Sequence, residues 1–507
     1  MDSNDFAILT ARLERESDIN PRLYTLKVML VAALGYAPLA LLACGVLLAF
    51  FSLLYSLLVE GRASAPAVLG GAACVMGLLV TARSLVIRID APGGRDITAD
   101  EAPALFAAID DVLERMSIEK NGKTRPVAIE AVTLDGSFDA RVHQLPRWGV
   151  LTPVYRNQLQ LGVPLLTALS IAELKAVLAH EIGHFGRSHE RFEAWIYRQR
   201  TTWRMLQRKF ERPTTFADRI LARFYGWYAL YFQAYTLVLA RNLEYSADRA
   251  AAKATHPGAL ANALTKIVLM GRFLEEEFWP RLMEQVEKSP QPPYLPYSMM
   301  PRAFGLAQKQ WSRQDWLERS LRTFAAEGDT HPSLGERFAA LNIQPAPPTY
   351  SPDRCALSLL GSHGATIIKW CDEGWQKENA VAWRQRHNAI KESRWKIEEY
   401  EKTPAADLKP EDLWQKALLI LDLGQYENAI DELQFLVARA PGMAKAHLLL
   451  GKLLLQRGDE RGLENLTLAA KHDAQVLEDA GGAGYNYLVD RGRKGEAQRF
   501  WERLYAA

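Results

Sequence analysis

Two histidines four residues apart with a glutamate between them, His180-Glu181-Ile182-Gly183-His184, form an H-E-x-x-H pattern. On an α-helix, residues four apart differ by about 40° around the axis, so both imidazoles point to one place and suit a shared metal ion. Glu181 then faces a water on that ion rather than the ion itself, which is the position of a general base. The pattern needs a helix, and the flanking residues supply one. Ser170-Ile171-Ala172-Glu173 is a capping box. Ile171, Leu174, Val177, Leu178 and Ile182 follow as an apolar stripe, and Gly186 stands where the helix can stop.

Alone, the pentapeptide also describes an ordinary surface helix. A catalytic zinc takes three protein ligands and keeps one position open, so a further acidic or histidine ligand belongs on a second helix. Arg241-Asn242-Leu243-Glu244-Tyr245-Ser246-Ala247-Asp248-Arg249-Ala250 places Glu244 and Asp248 on one helical face. Glu244 can bind the metal while Asp248 hydrogen-bonds the far nitrogen of a ligand histidine. On spacing alone, two solvated carboxylates balanced by Arg241 and Arg249 account for the same residues equally well.

H-E-I-G-H followed by N-L-E-Y-S-A-D-R-A resembles the HtpX and CAAX prenyl-protease family of membrane zinc metallopeptidases. A third segment, Thr330-His331-Pro332-Ser333 with Glu336-Arg337 behind it, is similar to an H-P segment near that family's active site. The resemblance covers about residues 100 to 345. It implies a zincin-like α+β metalloprotease domain with a small sheet and one Zn2+ per chain, held by His180, His184 and Glu244. It further implies Glu181 as the base and Asp248 behind a ligand histidine. Tyr245 and His331 are candidates for steadying the oxyanion. His331 has other expected roles: capping a helix, supporting a metal ligand from behind, or quieting the enzyme by approaching the metal. Family members usually carry Asn-Ala before the catalytic helix; here Ser137-Phe138-Asp139-Ala140 puts Asp139 in that place.

The elements that must position these residues begin at a membrane. Val28–Val59 and Ala63–Ala82 carry no charge, and Glu60, Gly61 and Arg62 separate them. Each run exceeds or meets the roughly 20 apolar residues that cross about 30 Å of hydrocarbon, so a transmembrane helical hairpin is expected over 28–87. Acidic residues among the first 27 and the length of the first run fit a cleaved signal peptide poorly. Arg12, Arg15, Arg22 and Lys27 before the hairpin and Arg83, Arg88 and Arg95 after it place both termini and the catalytic domain in the cytoplasm. One crossing between His184 and Glu244 would put them on opposite faces. The aromatic stretch Phe224–Ala240 is therefore expected to lie at the headgroups or against the protein. Gln158-Leu159-Gln160-Leu161 alternates like an edge strand, to which an extended substrate can add.

Downstream, Pro345, Pro347 and Pro348 mark a boundary, and a helical stretch follows from about Ile367 to Glu401. Gly424, Gly458 and Gly492 recur at the tetratricopeptide period of 34. The expected order is 1–27 cytoplasmic segment, 28–87 hairpin, 95–345 peptidase, 346–409 linker and helical segment, and 410–507 repeats in an α-solenoid. The fold class is mainly α. A net charge of +2 over 507 residues leaves no basic surplus for nucleic acid. The four cysteines form no C-x-x-C pair, so neither a disulfide framework nor a thiolate site arises. Together these features describe a membrane-anchored zinc metalloendopeptidase that cuts membrane or membrane-proximal proteins in quality control or processing, with the repeats as a surface for a protein partner. The alternative is a repeat-based, chaperone-like scaffold with a degenerate protease domain.

Overall fold

The structure, a computed structural model, describes residues 3–506 except 60, 62–64, 86–92, 117, 121–122, 126–127, 147–154, 324–328 and 185–215, of which last stretch Ile196, Gln199, Arg200, Trp203 and Gln207 are described. They form two units: Met1–Arg281 with Tyr294–Gln376, and Leu282–Pro293 with Lys377–Ala507.

In the first unit, period-two alternation builds a small sheet. Its strands are β1 (Arg95–Ile97), β4 (Ala131–Asp135), β5 (Ala140–Pro146) and β6 (Tyr155–Gly162), in the order β1-β4-β6-β5. A separate hairpin pairs β2 (Ile118–Lys120) with β3 (Lys123–Arg125). Val132, Leu134, Val142, Leu159 and Leu161 are buried on one face of the four-stranded sheet. Leu105, Ile109 and Val112 of α5 (Pro103–Met116) join the same core, as do Leu174, Val177 and Leu178 of α7 (Ile171–Gly183). The other face is polar: Gln158 donates to Thr133, and Thr133 to Asp96. The strand containing Gln158–Leu161 is not an edge. β6 pairs in parallel with β4 and antiparallel with β5, so both of its sides are hydrogen-bonded. Alternation reports one buried face and carries no information about lateral neighbours. Among the described residues the edge strands are β1 and β5.

The helices before the sheet are α1 (Ser3–Ile19), α2 (Pro21–Leu34), α3 (Ala37–Val59) and α4 (Ala65–Leu85). The charge-free run from Val28 is thus broken at Gly35–Tyr36. Val28 and Ala32 belong to α2, buried against Tyr225 and Tyr228. A Cβ at Gly35 would come within 2.5 Å of the Tyr228 hydroxyl, so only glycine admits that ring. The hairpin is α3 against α4. Among the described residues no helix is long and apolar enough to cross a membrane. Side chains are described without a break only over 43–59 of α3 and 68–79 of α4, each short of the roughly 20 residues of a span. Arg62 and Arg88 lie outside the described residues.

After α6 (Val163–Ala168) and α7 comes α8 (Phe216–Ala254), a single 39-residue helix. The aromatic stretch Phe224–Ala240 lies in its middle and packs on protein. Tyr24 donates to the Tyr235 carbonyl at 2.7 Å, and Tyr228 donates to that of Val31 at 3.0 Å. Then follow α9 (Pro257–Phe273), α10 (Trp279–Glu284), α11 (Pro296–Leu306), α12 (Gln308–Trp311), α13 (Gln314–Arg322) and α14 (Leu334–Leu341). The first unit continues past the prolines at 345–348, because Tyr350, Ala356, Leu359, Leu360, Ile367 and Cys371 complete its core.

The second unit takes the C-terminal part of α15 (His363–Glu401) and three helical hairpins: α16 (Pro410–Asp422) with α17 (Tyr426–Arg439), α18 (Ala444–Gln456) with α19 (Arg461–His472), and α20 (Leu477–Asp490) with α21 (Lys494–Ala506). Gly424, Gly458 and Gly492 occupy the three turns with φ of 75°, 86° and 77°, a conformation that side chains resist.

Candidate metal centre

The capping box forms as its sequence requires. Ser170 Oγ accepts from the Glu173 N–H at 3.4 Å, and the Glu173 carboxylate accepts from the Ser170 N–H at 2.7 Å. The helix it starts carries His180 and Glu181 and is capped by His184; the expected stop at Gly186 lies outside the described residues. Gly183 sets the distance to α8. A Cβ there would lie 3.2 Å from the Cα of Ala247, so the two backbones meet without a side chain between them. That close approach brings Glu244, on the C-terminal half of α8, over both histidines.

His180 Nε2 lies 3.5 Å from one Glu244 oxygen, and His184 Nε2 lies 3.6 Å from the other. The ligand atoms of all three residues fall within 4.8 Å of one another. Ligands about 2.1 Å from a tetrahedral zinc sit about 3.4 Å apart, close to the two histidine–carboxylate separations. Two imidazoles and a carboxylate are also the donor types that zinc takes in open, catalytic sites.

Around these ligands the structure adds a supporting layer. Asp248 accepts from His180 Nδ1 at 2.9 Å, as expected of a residue one turn beyond Glu244. Arg337, in the first turn of α14, grips Asp248 with both prongs, Nε at 2.8 Å and Nη2 at 2.5 Å. Its Nη2 lies 3.4 Å from His180 Nδ1. Sequence reasoning gave Arg337 no role. An arginine behind a capping box looks like any helix surface residue, and only its place beside the H-P segment hinted at more.

His331 stands on the ligand carboxylate, with Nδ1 3.0 Å from Glu244 Oε2, while its side chain remains 62% exposed. The helix-capping role falls instead to Ser333, which forms a second capping box with Glu336. The charges around the Tyr245 hydroxyl are those of Glu336, Arg241, Asp248 and Arg337.

Glu181 is half-buried beside the edge strand β5, facing the Val142 backbone N–H. Burial, with help from the Asp139 and Glu244 charges, pushes its carboxyl up to about 7. Burial drives His184 down to about 4, so it is neutral and ready to donate a lone pair. Burial also opposes a charge on His180, but the Asp248 and Glu244 carboxylates outweigh it and raise that imidazole to about 9. Burial would raise Glu244 too, yet the histidines hold it well below the usual carboxylate range.

No match to the chain was found among curated proteins or among solved structures. The stretch that supplies every one of these side chains, residues 105–344, matches the family model described as Peptidase family M48, a family of metallopeptidases.

Proposed function

We propose that the chain is a zinc-dependent metalloendopeptidase, with His180, His184 and Glu244 holding the ion and Glu181 as the base. The convergence of two histidine Nε2 atoms on the two oxygens of Glu244, at 3.5 and 3.6 Å, carries this proposal. Bound there, zinc supplies a Lewis acid that lowers the pKa of water and polarises a scissile carbonyl. Glu181 accepts the proton of the attacking water and passes it to the leaving amine. Its position beside β5, and a carboxyl raised to about 7, suit both steps near neutral pH. Asp248 holds His180 with Nε2 free for the metal. Of the two oxyanion candidates, His331 stands directly on the ligand carboxylate. An extended substrate adds to β5, the strand whose outer edge is open next to Glu181.

The substrates are membrane or membrane-proximal proteins, because the peptidase follows directly on the apolar pair α3 and α4. Exposed Leu41, Leu47, Leu48, Phe50, Phe51 and Leu58 on α3 support an anchor there. The hairpins of the second unit, with a glycine turn every 34 residues, support tetratricopeptide-like repeats that recruit a protein partner.

Casein cleavage tests the chemistry. Wild type should cut and lose activity to a chelator. Glu181→Gln should fall by at least about a thousandfold while keeping its zinc, because all three ligands remain. Glu244→Ala should lose the metal. Undiminished cleavage by Glu181→Gln, or full zinc occupancy in Glu244→Ala, would refute these assignments.

A further inference from the structure

We propose that Arg337 is a positioning residue of the metal centre, fixing the orientation of His180 through Asp248; this rests on the metallopeptidase proposal above. Both oxygens of Asp248 are engaged. Oδ1 meets His180 Nδ1 at 2.9 Å and Arg337 Nη2 at 2.5 Å, and Oδ2 meets Arg337 Nε at 2.8 Å. A carboxylate held by one hydrogen bond can turn about its last torsion. One gripped by a guanidinium fork cannot, so its plane and lone-pair directions are set. With Asp248 fixed as an acceptor, the proton stays on His180 Nδ1 and the Nε2 lone pair faces His184 and Glu244.

Charge adds a second reason. Glu244 and Asp248 are two carboxylates one turn apart, both nearly fully buried. Burying them together is costly without a compensating cation. Arg337, itself with a side chain only 12% exposed, supplies that charge on the side away from the ligand cluster. Lysine at this place has the charge but not the fork.

The test compares full-length wild type with Arg337→Met, Arg337→Lys, Asp248→Asn and the double variant Arg337→Met/Asp248→Asn. Zinc affinity is read by competition with a chelator, and ligand geometry by the visible spectrum of the cobalt form. The unfolding temperature of the metal-free protein reports on folding. Loss of an outer partner of a ligand histidine weakens metal binding by about ten- to a hundredfold. Arg337→Met should lose that much and change the cobalt spectrum. Arg337→Lys should recover part of it. Adding Arg337→Met to Asp248→Asn should cost less than about twofold more, because the path through Asp248 is already broken. Wild-type affinity in Arg337→Met, or losses that simply multiply in the double variant, would overturn the role. Should Arg337→Met not fold, Arg337→Lys decides. A loss of about tenfold at an unchanged unfolding temperature supports the proposal, and wild-type affinity overturns it. Zinc binding that is equally absent from wild type and Glu244→Ala would bring down the metallopeptidase proposal, and this one with it.

Discussion

His180 touches two carboxylates at once, and this gives metal uptake a proton signature. Its folded-state value of about 9 lies above the ordinary 6.5, so in the metal-free chain it carries a proton through neutral pH. A ligand imidazole must be neutral at the metal, so binding zinc expels that proton. Calorimetric titration at pH 7.5 in buffers of different ionisation enthalpy should show release of about one proton per zinc. The release should fade as pH rises through about 9. His184, held near 4, contributes none. A buffer-independent heat at pH 7.5 would contradict this. At the same scale, the H-E-x-x-H residues were legible because helical periodicity alone makes their imidazoles converge. Glu244 and Asp248 needed the family resemblance, since an i, i+4 acidic pair is as common on solvated faces. Arg337 was illegible, because its meaning comes from a contact 89 residues away.

At the scale of elements, α7 and α8 meet at Gly183 and Ala247. Gly183→Val forces these backbones apart by inserting a branched side chain where even a Cβ is crowded. Such overpacking costs about 1–3 kcal/mol. It should appear as a lower unfolding temperature together with weaker zinc binding, because Glu244 moves with α8. Normal zinc affinity in a folded Gly183→Val would show that the spacing is not what sets the site. The capping box before α7 was readable from four residues because its bonds are local. The edge assignment failed on β6 because strand neighbours are decided by the crossover that brings β4 beside β6, which no window of alternating residues encodes. The break at Gly35–Tyr36 was equally hidden within an uncharged run, where apolarity suits a lipid surface and a ring of buried tyrosines alike.

At the scale of the whole chain, the proposed anchor makes a prediction independent of catalysis. Full-length protein should remain in the membrane pellet after alkaline carbonate extraction, whereas a variant lacking residues 37–85 should be released. Retention of that variant would assign the attachment to another segment. The turns between the C-terminal helices were readable because Gly424, Gly458 and Gly492 answer a backbone requirement that other residues meet poorly. The family match ends at residue 344, beside the prolines that mark the boundary, whereas the compact unit runs past Pro348 to finish a core begun far upstream, which no local stretch announces.

One rod joins these scales. α8 runs unbroken from the tyrosines that lock onto α2 to the carboxylate at the metal. From Tyr228 to Glu244 it spans about 24 Å, at 1.5 Å per residue. With no joint in between, any shift of α2 that drags Tyr228 is transmitted along the rod to the third ligand.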